Sequence, residues 1–84
     1  MKHHASPSFW ESFDLLDPAT QKAGRSAFQL MRSDPRHPSL RLKKAGRHWS
    51  ARIGRSYRAV AVEEEGGLLW IWIGRHDPYE HKIG

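Results

Sequence analysis

Arg52, Arg58 and Arg75 are the residues on which a chemical reading of this chain turns. A three-residue turn at Gly54-Arg55-Ser56 sets Ile53 opposite Tyr57, Arg52 opposite Arg58 and Ala51 opposite Ala59. A two-residue turn at Gly66-Gly67 sets Glu65 opposite Leu68, and so Val62 opposite Ile71, Val60 opposite Ile73 and Arg58 opposite Arg75. The arginines then form a row across neighbouring strands. Like charges directly opposite each other destabilise a sheet, so the row is expected to receive an anion, from a carboxylate or a phosphate. The alternative is that the long side chains splay into water. His76 follows Arg75 directly, and its ordinary pKa suits proton transfer near neutrality. Tyr79 is suited to stack on a base or to orient a phosphate.

The surrounding charge points the same way. Arg36, Arg41, Lys43, Lys44, Arg47, Arg52, Arg55 and Arg58 all lie between Pro35 and Val62, and no acidic residue does. The acids gather instead at Glu11 to Asp17 and at Glu63-Glu64-Glu65. Net charge is +5 and the pI about 10.1, a balance that favours a polyanionic partner. Arg41, Lys44, Arg47, Arg52 and Arg55 are therefore candidate nucleic-acid contacts, since lysine and arginine bind phosphate by displacing counterions.

Other chemistry is not supported. There are 0 cysteines, hence no disulfide framework or thiolate metal site. His76, Asp77 and His81 do not form a recognised metal-ligand pattern, and no glycine-rich loop precedes a helix. Neither metal nor cofactor is expected. The longest apolar run, Leu68 to Ile73, is about a third of a membrane span. Lys2 is followed by histidines, serine and proline rather than an apolar leader, so a cytoplasmic protein without membrane contact is expected.

The 84 residues suit one domain, 1–84. Ser6-Pro7 and Asp17-Pro18 are helix starts. Phe9, Trp10, Phe13 and Leu16 are the apolar side of the first helix and are expected in the core; Ala19, Ala23, Ala27, Leu30 and Met31 are that of the second. Asp34-Pro35 ends the pair, and Pro35 to Pro38 links it to a strand-rich half. Leu40 to Lys43, Trp49 to Ile53, Tyr57 to Val62 and Leu68 to Arg75 read as strands. The expected architecture is α+β: an N-terminal helical hairpin packed on an antiparallel sheet of about four strands. Ala61 is expected in a slot between Trp49 and Trp72, Trp70 and Trp72 in the core, and His3 and His4 on the surface.

His37-Pro38-Ser39-Leu40, Lys43-Lys44, Trp49-Ser50-x-Arg52-Ile53-Gly54, Tyr57-Arg58-Ala59 and Trp70-x-Trp72-Ile73-Gly74-Arg75-His76-Asp77-x-Tyr79, in this order and spacing, resemble the RelE/ParE toxin superfamily of bacterial type II toxin–antitoxin systems. The resemblance extends over nearly the whole chain. It implies a small sheet packed by N-terminal helices and neutralisation by a cognate antitoxin that wraps the toxin. RelE-like members cleave mRNA in the ribosomal A site; ParE-like members poison DNA gyrase.

Metal-free RNA cleavage needs a base for the ribose 2′-OH, cations on the phosphate oxygens and an acid for the leaving 5′-oxygen. By resemblance, Arg58 matches the superfamily's strand arginine, Arg75 the basic position ending the last strand, and Lys43 the strand where some members place a lysine base. His76 and Tyr79 complete the candidate catalytic set. No glutamate occurs between Ser39 and Lys44, where one subgroup carries its base, so the base stays open. The leading expectation is a ribosome-associated mRNA endonuclease that inhibits translation. The alternatives are a gyrase-directed toxin without nuclease activity and a degenerate member that binds only antitoxin or nucleic acid.

Overall fold

Ser6 and Asp17 start the two helices. Ser6 Oγ accepts the N–H of Phe9 at 3.2 Å, and Asp17 Oδ2 that of Thr20 at 3.2 Å. Such caps contribute about 1 kcal/mol each, and the proline that follows each one gives up no helical hydrogen bond. In the computed structural model, which describes residues 2–75, α1 spans Pro7–Asp14 and α2 spans Pro18–Ser33. Among the described residues, no helix is long and apolar enough to cross a membrane.

The helices pack on a sheet of five strands, not four: β1 (Lys2–Ala5), β2 (Lys43–Ala45), β3 (His48–Ile53), β4 (Tyr57–Glu64) and β5 (Gly67–Arg75). Their order is β1-β5-β4-β3-β2. β2 to β5 pair antiparallel, while β1 runs parallel to β5, so the sheet is mixed. β1 has no apolar alternation to announce it. It docks because residue 67 is glycine: a Cβ there would strike the Lys2 carbonyl. That role takes Gly67 out of the turn. Glu64 pairs Gly67, and the two-residue loop is Glu65-Gly66, with Gly66 at φ 79°.

The strand expected at Leu40 is also displaced. Pro38–Leu40 form a 3-10 turn that buries Leu40, and Arg41 leaves it with φ 44° before β2 begins at Lys43. Pro38 at the first position of that turn fixes its own φ and lacks an N–H, which suits a turn better than a central strand.

The β3–β4 register is the expected one: Ile53 opposite Tyr57, Arg52 opposite Arg58, Ala51 opposite Ala59. The β4–β5 register is not. Val62 pairs Leu69 and Ala61 pairs Trp70, then the register shifts so that Val60 pairs Trp72, Ala59 pairs Ile73 and Arg58 pairs Gly74. Ile71 is the extra residue of this β-bulge. α1 supports it: Ser8 Oγ donates to the Ile71 carbonyl at 2.8 Å, and Ser12 Oγ accepts the Ile73 N–H at 3.1 Å.

The bulge decides which face is covered. It turns Ile73 to the side of Ala51, Ile53, Ala59, Ala61 and Trp70, and that side packs against Phe9, Phe13 and Met31 of the helices. Gly24 brings α2 close, its Cα side facing Phe13 and Ile73. Ala61 lies in register between Trp49 and Trp70, rather than Trp49 and Trp72. Trp10, expected in the core, is 51% exposed.

Candidate nucleic-acid interface

Strand alternation places Lys43 of β2, Ser50 and Arg52 of β3, Arg58 and Val60 of β4, and Trp72 and Gly74 of β5 on the sheet face away from the helices. Lys43, Ser50, Val60 and Trp72 form one row, and Arg52, Arg58 and Gly74 the next. Arg52 and Arg58 are directly opposite, where side chains leave the sheet about 5 Å apart. Arg52 is held by its own turn, its Nε donating to the Gly54 carbonyl at 2.9 Å. Arg58 is half-buried. Beside it, a Cβ on Gly74 would collide with the Trp72 indole, so that ring lies against the Gly74 backbone. The face thus sets an aromatic surface next to a pair of arginines.

The expected three-arginine row is corrected by the bulge. Arg75 pairs Tyr57, so it leaves the strand on the side opposite to Arg58. His76 and Tyr79 lie outside the described residues, as does the grouping of His76, Asp77 and His81.

The lysine pair separates as well. Lys43 is exposed on the arginine face, whereas Lys44 pairs Trp49 on the other. Lys44 Nζ lies 2.8 Å from Glu63 Oε1, which also accepts the Trp49 indole N–H at 2.9 Å. The bond from Lys44, with that of Trp49 behind it, holds the Glu63 carboxyl below its usual range. The cationic stretch therefore does receive a carboxylate, from just beyond its end. Among the described residues, the carboxylate on the arginine face is Glu64, at the far hairpin end and 3.0 Å from His4 Nδ1. Arg47 and Arg55 sit exposed in the β2–β3 and β3–β4 turns, and exposed Arg41 precedes β2.

Trp72 and His3 are the residues that sequence reasoning misplaced most. Trp72 is half-buried on the arginine face instead of in the core; the large-x-glycine spacing of Trp72 and Gly74 was its signal. His3 is half-buried rather than on the surface. Its Nδ1 accepts the Trp70 indole N–H at 3.1 Å, and its ring stacks on that indole.

No protein-family model matches the chain, and no curated protein matches its sequence. Solved structures do match in shape. A chain of the RelB–RelE antitoxin–toxin complex from Methanococcus jannaschii superposes with a TM-score of 0.73 at 9% identity, over 96% of this chain and 99% of that one. YafQ from E. coli gives 0.73 at 10% identity over 99% and 98%. The YoeB/ParE toxin from Agrobacterium tumefaciens gives 0.69 at 19% identity over 90% and 99%. At these identities the likeness is one of architecture, and it spans both chains nearly end to end: this chain has the fold of the RelE/ParE toxin superfamily.

Proposed function

We propose that this chain is the toxin of a type II toxin–antitoxin pair and acts as a ribosome-associated mRNA endonuclease without metal or cofactor. The observation that carries the reading is the opposed pair Arg52 and Arg58 on the sheet face away from the helices, with Lys43 in the adjacent row. Two guanidinium forks at that spacing suit the oxygens of one phosphate. Arg58 has the central place and stabilises charge building on the scissile phosphate, while Trp72 gives an apolar wall on which a base can lie. Lys43 is the nearest candidate to take or hold the 2′-OH proton, and His76 remains the proposed acid. Arg41, Arg47 and Arg55 track the flanking backbone from the loops. The RelB–RelE neighbour, a toxin solved with its antitoxin, supports a cognate antitoxin as partner.

A second reading has its own support. Arg75 projects away from Arg58, which leaves the phosphate-binding centre one cation short of the expected row and favours a gyrase-directed toxin.

Brief induction without the neighbouring gene, followed by primer extension on mRNA and a parallel assay for gyrase-dependent DNA breaks, separates the two. Growth arrest with new mRNA 5′ ends is the expected result. Arrest with gyrase-linked breaks and intact mRNA selects the second reading. Normal growth at verified soluble expression overturns both.

A further inference from the structure

Consecutive carbonyls of a straight strand point to opposite edges of the sheet. Those of Trp70 and Ile71 point to the same one. The Trp70 carbonyl accepts the Ser6 amide at 2.9 Å, and the Ile71 carbonyl accepts the Ser8 hydroxyl at 2.8 Å. This doubling is the β-bulge seen from its outer edge. β1 ends there, at Ala5 opposite Trp70, and α1 takes over as the neighbour of β5.

The alternative to the bulge is concrete. Were the pairing of Val62 with Leu69 and Ala61 with Trp70 to run on unbroken, Val60 would meet Ile71, Ala59 would meet Trp72 and Arg58 would meet Ile73. Trp72 would then turn toward the helices, and Arg75 toward the side of Arg58. The hydrophobic pattern does not choose between the two registers. Leu68 to Ile73 is apolar throughout, so an apolar side chain reaches the helices either way.

Directional bonds and close packing do choose. The Ile71 carbonyl faces α1, and Ser8 can bond it, only when the strand is bulged. Ser12 holds the next step. Its Oγ accepts the Ile73 N–H at 3.1 Å, while its own proton goes back to the Phe9 carbonyl at 2.9 Å. Ser8 has one proton and gives it to Ile71, so Ser6 is the donor in the 2.7 Å contact between the Ser6 and Ser8 hydroxyls. Ser6 also caps α1, so helix start and bulge form one network. Gly24 adds shape: a Cβ there would already lie 3.6 Å from Ile73 Cδ1, an approach that an indole in place of Ile73 would overfill.

We propose that Ser8 and Ser12 are positioning residues of the arginine face: by holding the Ile71 bulge from the helix side, they set Trp72 beside Arg58 and keep Arg75 off that face. The choice of register stands by itself; its effect on cleavage rests on the function proposed above.

The test compares isotopically labelled full-length protein with Ser8→Ala/Ser12→Ala, whose alanines favour the helix. The parent should show nuclear Overhauser contacts between Val60 and Trp72 and between Ala59 and Ile73. In the double variant these should weaken, a contact between Ala59 and Trp72 should appear, and the Ile73 amide should exchange about tenfold faster or more. Cleavage of mRNA should fall by about tenfold to a hundredfold, as when a site is misplaced by about an ångström. Ser8→Thr/Ser12→Thr restores both hydroxyls and should recover the parent contacts and most of the rate. Parent contacts with unchanged Ile73 exchange in the double variant overturn the inference, as does full cleavage by a variant whose register has moved. Where the double variant does not fold, Ser8→Ala alone changes one exposed side chain and is judged by the same readouts. A parent protein that cleaves no mRNA fails the endonuclease reading, while the contacts and the exchange rates still judge the serines.

Discussion

Alternate residues of the same strands build two faces that obey opposite rules. On the covered face Trp49, Ala61 and Trp70 stand in one row, large against small against large, and Ala61 and Trp70 are almost fully buried. Each large apolar side chain withdrawn there contributes about 1.5–3 kcal/mol. On the face away from the helices Arg58 is set directly against Arg52. Such a like-charge pair costs about 0.2–1 kcal/mol. The first face is what folding requires. The second gains nothing for folding from that like-charge contact, and it is where the proposed phosphate site lies.

The largest effect is therefore expected at Arg58. Arg58→Ala should lower mRNA cleavage by about two to three decades, the usual loss for one preorganised charge donor. Loss of the Arg52–Arg58 like-charge contact works in favour of the variant's fold. Arg58→Lys should recover only part of the rate, since a point charge lacks the two-pronged fork. Primer extension on each variant, with circular dichroism beside it, is the check. Full cleavage by folded Arg58→Ala would erase the functional distinction between the faces.

Ala61→Leu is the opposite experiment. The row from Trp49 to Trp70 has no room for three more carbons, so overpacking should cost about 1–3 kcal/mol. Activity per folded molecule should stay. An unchanged denaturation midpoint would show that the two indoles do not close on Ala61.

How far each face was legible follows from how its residues are specified. The β3–β4 hairpin could be read because Gly54, at φ 61°, and a clean alternation in Trp49 to Ile53 leave one register. The β4–β5 pairing could not. Leu68 to Ile73 is apolar at every position, so a bulge at Ile71 changes no visible pattern. Its supports, Ser8 and Ser12, lie more than fifty residues away in the sequence. β1 was hidden for another reason: its hold is backbone pairing, one histidine acceptor and the His4–Glu64 contact, which leave no hydrophobic signature. At the candidate site, Arg52 opposite Arg58 was legible from the turn, whereas the departure of Arg75 hung on the unseen bulge.

Arg41 tests the comparison at the border between the two rules. Its φ of 44° is left-handed, which costs a non-glycine residue about 1–2 kcal/mol. Glycine relieves that strain but adds chain entropy in the unfolded state, so Arg41→Gly should gain up to about 1 kcal/mol. If Arg41 serves phosphate, the same variant should bind RNA more weakly and with a shallower salt dependence. A gain in midpoint with unchanged RNA affinity would move Arg41 out of the interface. A loss in midpoint would mean that its side chain is held by contacts that outweigh its backbone.

The smallest effect is expected at His3, where β1 repeats the comparison within one strand. His3 faces the covered side and Trp70; His4 faces the other and Glu64. Burial, with Arg32 among the nearby positive charges, lowers the His3 pKa below the ordinary 6.5. The neutral ring is the folded form, for its Nδ1 lone pair takes the Trp70 indole N–H. As pH falls below about 6.5 the unfolded chain binds the proton first, so stability declines until the lowered folded pKa is reached. Asp17, lowered chiefly by the Thr20 hydroxyl, and Glu63, lowered chiefly by Lys44, yield their contributions only in the more acidic carboxylate range. The two windows are thus separate. Thermal midpoints between about pH 7 and 5.5 should fall in the parent protein and flatten in His3→Gln, which keeps an acceptor but gains no proton. His4→Gln should retain the fall. A slope that survives His3→Gln would show that the Trp70 bond does not hold β1 to the covered face.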